Sequence, residues 1–238
     1  MMMLVSEPEA DQIITPEFYS EDYYEYGQMT GKSSYSHYRW MPELSFRMAM
    51  AIIEYCNIDR DKKILDFGCA KGFLVKALRH LFRDAYGCDW ASYAIENAET
   101  DVRKYVRVSS QEAPIPFEQK FDLCIAKDVF EHIPYYNLID LLLAIRKQCN
   151  ELLVIVPLGN GEKYFIDEYE ADQSHIIREN KAWWEEQITS AGFQIISSTY
   201  NVPGIKDAWY RVNKQGNAVI YAEKNLREVD LASLKAGE

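Results

Sequence analysis

Long apolar runs are missing from this 238-residue chain; none approaches the ~20 residues that a helix needs to cross a bilayer, so no membrane span is expected. The opening Met1-Met2-Met3-Leu4-Val5 is too short for the apolar region of a signal peptide, and acids follow at once, which points to the cytoplasm. Basic charge is scarce: 26 Lys and Arg stand against 37 Asp and Glu, the net charge is -11, and no basic stripe is visible. That balance argues against a broad phosphate-binding face, and so against nucleic acid as a partner, while leaving room for a local basic pocket. The five cysteines (Cys56, Cys69, Cys88, Cys124 and Cys149) are odd in number, far apart and without a C-x-x-C pair. They read as buried thiols in a reducing compartment, not as a disulfide framework or a zinc site. Internal repeats and low-complexity tracts are absent too.

What is present is a soluble, globular composition, 48% hydrophobic and 26% charged, at a length suited to one sizeable core. After an acidic, unpatterned stretch over 1–17 comes an aromatic-rich segment holding Phe18, Tyr19, Tyr23, Tyr24, Tyr26, Tyr35, Tyr38 and Trp40. Apolar residues at helical spacing, led by Pro42, predict a helix over 42–55. Strands are then expected at 63–67, 85–89, 105–108, 121–126 and 152–156, alternating with helices at 73–82, 92–99, 136–149 and 179–191. Two last strands follow at 193–200 and 217–222. Such alternation predicts an α/β fold with a doubly wound, mostly parallel seven-stranded sheet. The chain divides into a mobile acidic arm over 1–17, an aromatic and helical lid over 18–60, the doubly wound domain over 61–223, and a charged tail over 224–238.

The most informative stretch is Ile64-Leu65-Asp66-Phe67-Gly68-Cys69-Ala70-Lys71-Gly72-Phe73, which reads as strand, glycine-rich turn and helix. Such a turn lets the backbone approach a nucleotide-like ligand closely. Asp66 selects the ligand, because a carboxylate at the strand end repels a pyrophosphate. S-adenosylmethionine has no phosphate and carries an ammonium and a sulfonium that a carboxylate favours. A second acid, Asp89 in Tyr86-Gly87-Cys88-Asp89-Trp90, ends the next apolar run. An acid roughly 20 residues on is the expected partner of ribose hydroxyls.

Together these segments, over roughly 64–222, resemble the class I, Rossmann-like S-adenosylmethionine-dependent methyltransferases, close in type to small-molecule and sugar O-methyltransferases. Their D-x-G-x-G-x-G motif stands here as Asp66 to Gly72, with Ala70 in place of the middle glycine. The resemblance implies that Asp66, Gly68, Cys69, Ala70 and Gly72 hold the methionine part and that Asp89, followed by Trp90, holds the ribose. Ser110-Gln111-Glu112 matches the adenine-binding loop, with Gln111 at the usual aspartate. Phe121 to Ala126 matches the fourth strand, Lys127 through Glu131-His132 the stretch ending in E-H, with Lys127 expected at the cofactor, and Ala191-Gly192-Phe193 the A-G-F before the sixth strand. Lys127-Asp128-Val129-Phe130 replaces the Asn/Asp-Pro-Pro-aromatic motif of base-amine enzymes, and Cys124 lies inside a strand, not beside a proline as in cytosine C5 enzymes. Both departures favour a small-molecule acceptor.

Methyl transfer to a hydroxyl calls for alignment and for removal of a proton. The candidate base is His175 in Asp172-Gln173-Ser174-His175-Ile176, with Asp172 orienting its imidazole; the competing reading is a histidine that closes the loop over the sheet. His132 reads as architectural. Asp128 with Glu131 or His175 has the makings of a divalent-cation site, but such clusters are more often solvated charges or caps, and no metal is expected. The tyrosine-rich segment reads as a cover over the cofactor, as packing of the first helix against the sheet, or as both; 201–211, rich in Trp, Tyr and charge, reads either as a surface loop anchored by Trp209 or as a closure of the acceptor site with Lys206 or Arg211 on an anionic group. The resulting expectation is O-methylation of a small polar acceptor such as a sugar or nucleotide-sugar, with the oligomeric state left open. The alternatives are an RNA or protein methyltransferase and a non-catalytic cofactor-binding module. A nicotinamide oxidoreductase is disfavoured by Asp66 and by the missing G-x-G-x-x-G.

Overall fold

The structure, a computed structural model, describes residues 14–225. Residues 1–13 of the expected arm and 226–238 of the expected tail lie outside the described residues. After a 3-10 turn at Pro16–Phe18 come two single-turn helices, α1 (Glu21–Tyr24) and α2 (Gly27–Thr30), and the longer α3 (Pro42–Tyr55). The alternating part runs β1 (Lys63–Phe67), α4 (Phe73–His80), β2 (Asp84–Asp89), α5 (Ser92–Glu96), β3 (Val106–Val108) and β4 (Phe121–Lys127). It continues through α6 (Tyr135–Gln148), β5 (Cys149–Pro157), α7 (Lys181–Ser190), β6 (Phe193–Thr199), α8 (Asp207–Val212) and β7 (Asn217–Lys224).

The seven strands lie in the order β3-β2-β1-β4-β5-β7-β6. Pairing is parallel from β3 through β5, whereas β7 is antiparallel to both β5 and β6. Alternation along buried strands splits the core in two. Leu152, Val154 and Val156 of β5 join Cys124 and Ala126 of β4 on the face covered by Leu138, Leu142 and Trp184 of α6 and α7. Leu153, Ile155, Leu123 and Ile125 point the other way, onto Ile52 and Leu78 of α3 and α4. At about 1.5–3 kcal/mol for each large side chain taken out of water, these two layers hold the sheet.

Three helices are shorter than their periodicity predicts, among them α7, which spans Lys181–Ser190 and not 179–191. Helix α5 stops at Glu96, where the Asn97 side chain donates to the Tyr93 carbonyl. Helix α4 stops at His80, and Phe82 turns to φ 57°. The segment over 201–211 is not all loop: α8 begins within it, at Asp207.

Candidate active site

The strand order reverses between β1 and β4, and the carboxyl ends of strands at such a point open a crevice where α/β sheets bind ligands. A cavity of about 1130 Å³ lies there. Its floor is the turn after β1. Gly68 adopts φ 78°, and a Cβ on it would lie 2.2 Å from Val129 Cγ2, so the turn closes only without a side chain. Ala70 takes φ 48°, a left-handed angle in the place where the resembling pattern has glycine.

Asp89 stabilises that angle: its Oδ2 accepts from the Ala70 amide at 2.7 Å and its Oδ1 from the Ala91 amide at 2.8 Å. Asp66 is 4% exposed, lines the cavity and makes no side-chain hydrogen bond among the described residues. Burial, partly offset by Lys127, pushes its carboxyl up to about 7. Burial raises Asp89 as well, against the two amides that hold it. The pair of acids is thus short of compensating charge on the ligand side, which fits a cationic ligand bearing hydroxyls, as S-adenosylmethionine is.

The N-terminal segment forms the wall over this floor. Lys71, 8% exposed, pairs with Glu25 and donates to the Tyr38 carbonyl at 2.9 Å, clasping the segment to the turn. Tyr23 and Tyr24 are buried with Ala91 and Ala94, and Tyr19, Tyr35 and Tyr38 pack around them and line the cavity. Burial raises all five phenols above their ordinary value, so they stand as neutral hydroxyls.

The cavity is also lined by Arg39, Arg47, Lys206 and Arg211. Asp207 holds Arg47 at 2.7 Å. Lys206 pairs with Asp128 and donates to Tyr169 Oη at 3.0 Å and Asn217 Oδ1 at 2.8 Å. Burial would raise Asp128, but Lys127 and Lys206 outweigh it and keep the carboxyl ionised. Arg39 and Arg211 are exposed and carry no ion pair or hydrogen bond among the described residues.

A third corner joins two distant stretches. Ile176 and Ile177 amides both donate to the Glu131 carbonyl, at 2.7 and 3.0 Å, stitching the connection after β5 onto the turn after β4. His132 Nδ1 lies 2.8 Å from Ser174 Oγ, which itself donates to Asp172 Oδ1 at 2.6 Å. Asp172 Oδ2 accepts from Tyr23 Oη at 2.7 Å. The Ser174 proton is committed to Asp172, so His132 donates from Nδ1 and keeps a free lone pair on Nε2. Burial lowers the His132 pKa, leaving a neutral ring. Glu131 is fully buried, neither carboxylate oxygen has a hydrogen-bond partner among the described residues, and burial with Asp128 nearby pushes it up to about 8.

Of the residues expected to hold the cofactor, Asp66, Gly68, Cys69, Ala70, Asp89 and Trp90 line the cavity. So do Ser110, Gln111, Glu112 and Lys127. Gly72 does not; with φ 74° it opens α4 and packs near Val102 and Val106, so it shapes the turn from behind. His175 also has no face on the cavity. The two bonds to the Glu131 carbonyl draw its loop inward, its Nδ1 donates to the Tyr169 carbonyl at 2.8 Å, and burial with His132 beside it lowers its pKa to about 3. The Asp172 side chain is linked through Ser174 to His132, and the His175 ring, expected from the spacing to be oriented by Asp172, is held by the Tyr169 carbonyl instead. The imidazole that lines the cavity is therefore His132, whose only sequence signal was the Glu131-His132 pair.

A family model described as a methyltransferase domain matches residues 36–199, more than half of the chain. No curated protein matches the sequence. Among solved structures, a SAM-dependent methyltransferase from Archaeoglobus fulgidus is similar at 16% identity and a TM-score of 0.59, over 84% of this chain and 99% of that one. An S-adenosylmethionine-dependent methyltransferase from Clostridium acetobutylicum is similar at 15% identity and a TM-score of 0.56, over 75% and 91%. The glycopeptide N-methyltransferase MtfA in complex with S-adenosylmethionine is similar at 10% identity and a TM-score of 0.53, over 74% and 86%. Identities of this size speak to the shared sheet and its helices. With the matched span taking in the turn at Asp66, the acid at Asp89 and the corner at His132, the chain belongs to the methyltransferase-domain family and is an enzyme whose cofactor is S-adenosylmethionine.

Proposed function

We propose that the protein methylates a hydroxyl of a small polar acceptor that carries an anionic group, such as a sugar or nucleotide-sugar. The observation that supports this is the set of four cations, Arg39, Arg47, Lys206 and Arg211, that line the cavity in a chain of net charge -11. Two of them, Arg39 and Arg211, have no anion of their own and are available to a carboxylate or phosphate. The acidic balance elsewhere disfavours an extended RNA track, which needs many phosphate contacts.

When bound, S-adenosylmethionine supplies a methyl group activated by its sulfonium. The chain's own residues supply position and dryness. Asp66 and Asp89 fix the cofactor end, the Tyr19–Tyr38 wall covers it, and the cations fix the far end of the acceptor, so that its hydroxyl lies along the line of displacement. In this reading the hydroxyl meets the His132 corner, and His175 acts behind His132 without touching the acceptor.

Methyl-labelled S-adenosylmethionine incubated with the protein and with source-cell extract, fractionated into small molecules, RNA and protein, tests the proposal. Label is expected in a small anionic fraction, stable to conditions that hydrolyse methyl esters. Transfer to RNA, to protein or to nothing would overturn the acceptor assignment.

A further inference from the structure

We propose that Glu131, His132 and His175 form a binding site for one divalent first-row transition-metal ion beside the acceptor cavity. One potential ligand atom from each lies within 4.8 Å of the others. The two histidines present the right tautomer. His175 Nδ1 donates to the Tyr169 carbonyl and His132 Nδ1 to Ser174 Oγ, which leaves each ring with its lone pair on Nε2. An imidazole anchored through one nitrogen to a carbonyl or to a carboxylate-backed donor, with the other nitrogen free, is how metal-ligating histidines are held and oriented.

Glu131 is the independent sign that something is meant to sit there. Its side chain is fully buried, and both of its carboxylate oxygens lack any hydrogen-bond partner among the described residues. A buried carboxylate without a partner is costly, and a cation removes that cost. The neighbouring acids are already committed: Asp128 to Lys127 and Lys206, Asp172 to Tyr23 and Ser174. Glu131 alone has carboxylate oxygens to give.

Two imidazoles and one carboxylate suit manganese, iron, cobalt or zinc better than magnesium or calcium, which prefer oxygen donors throughout. Three protein ligands also leave coordination positions open. His132 lines the cavity, so those positions are reached from the acceptor side. An acceptor hydroxyl bound there would have its pKa lowered, which supplies the activation that His175 cannot. That last role rests on the proposed O-methylation; binding of the ion does not.

The test uses the full chain, stripped with a chelator and titrated with cobalt(II) chloride, followed by visible absorption and calorimetry. One equivalent is expected to bind, and Glu131→Gln and His175→Ala should each weaken binding by ~100-fold or more. Ser174→Ala, which only loosens His132, should weaken it roughly 10- to 100-fold. The double variant His37→Ala/His80→Ala, which removes the two histidines outside the cluster, should bind as the parent does. X-ray absorption on the cobalt form of the unaltered protein, which depends on no variant folding, should show two imidazoles. No uptake, uptake that survives Glu131→Gln, uptake lost with His37 and His80, or a shell of oxygens alone would each overturn the site. Cobalt binding with no hydroxyl methylated in any fraction would leave the metal site standing and remove the acceptor assignment.

Discussion

Asp89→Asn separates the two duties of one carboxylate. In the folded chain its two oxygens accept the Ala70 amide at 2.7 Å and the Ala91 amide at 2.8 Å. Both bonds are charge-assisted, and hydrogen bonds of that kind contribute about 1.5–3 kcal/mol each. Asparagine keeps the shape but accepts through one oxygen only. Its amino group then faces either the Ala70 or the Ala91 N–H, donor against donor. Ala70 is the weaker link, because its φ of 48° is unfavourable without the carboxylate holding it. Loss of one such bond, together with a weaker acceptor for the ribose hydroxyls, is expected to cost about 1.5–3 kcal/mol of cofactor binding, or roughly 10- to 150-fold in affinity. Isothermal calorimetry with S-adenosylmethionine measures it, with circular dichroism confirming the fold. A dissociation constant within threefold of the parent would show that Asp89 does not organise the cofactor turn.

The remaining expectations concern the same floor and wall. Because burial raises Asp66 from 3.8 to about 7, the folded chain holds an extra proton between those values, and stability should fall as pH rises through that window and level off above it. The span is about 4 kcal/mol, Asp66→Asn should flatten it in urea titrations from pH 4 to 8, and equal slopes in the two proteins would refute the assignment. Cofactor binding at pH 6 should release protons, seen as a buffer-dependent calorimetric heat that Asp66→Asn abolishes. Gly68→Ala places a methyl 2.2 Å from Val129 Cγ2 at φ 78°, and should cost about 2–5 kcal/mol and abolish cofactor binding; an unchanged melting temperature would contradict the close approach. Tyr23→Phe removes the 2.7 Å bond to buried Asp172 and should cost about 1.5–3 kcal/mol in urea unfolding, with a loss under 0.5 kcal/mol speaking against a buried charge-assisted bond.

The sheet was legible because buried parallel strands are short apolar runs, and β1, β2, β4 and β5 each end at a residue whose chemistry announces the end: Phe67 before Gly68, Asp89, Lys127 and Pro157. The cofactor turn was legible for the same reason, since a glycine at φ 78° and an acid at a strand end are local signals. The antiparallel insertion of β7 between β5 and β6 was not, because nothing local to Asn217–Lys224 says which edge it joins. The corner around His132 was half legible. Glu131-His132 and Asp172-x-x-His175 were both visible, but their pairing depends on two amide bonds to one carbonyl across the chain. Without those bonds, the spacing pairs Asp172 with His175; with them, the histidine that reaches the cavity is His132.

That stitching also explains why the aromatic wall is part of the site and not simply a cover. Tyr23 donates to Asp172, Asp172 takes the Ser174 proton, and Ser174 fixes the tautomer of His132. A second connection runs from Glu25 through Lys71 into the cofactor turn. Residues on one short helix and just after it thus reach both halves of the cavity. Both connections are made by the N-terminal segment, one to the His132 corner and one to the glycine-rich turn. A wall that merely excluded water would not need Tyr23 buried against a carboxylate; burial first, and then the Asp172 charge beside it, raise the phenol and keep it the neutral donor of the bond to Asp172. One short stretch of chain thus ties the corner around His132 to the turn that follows β1, and the tyrosine wall is held at both ends by hydrogen bonds or ion pairs, not by packing alone.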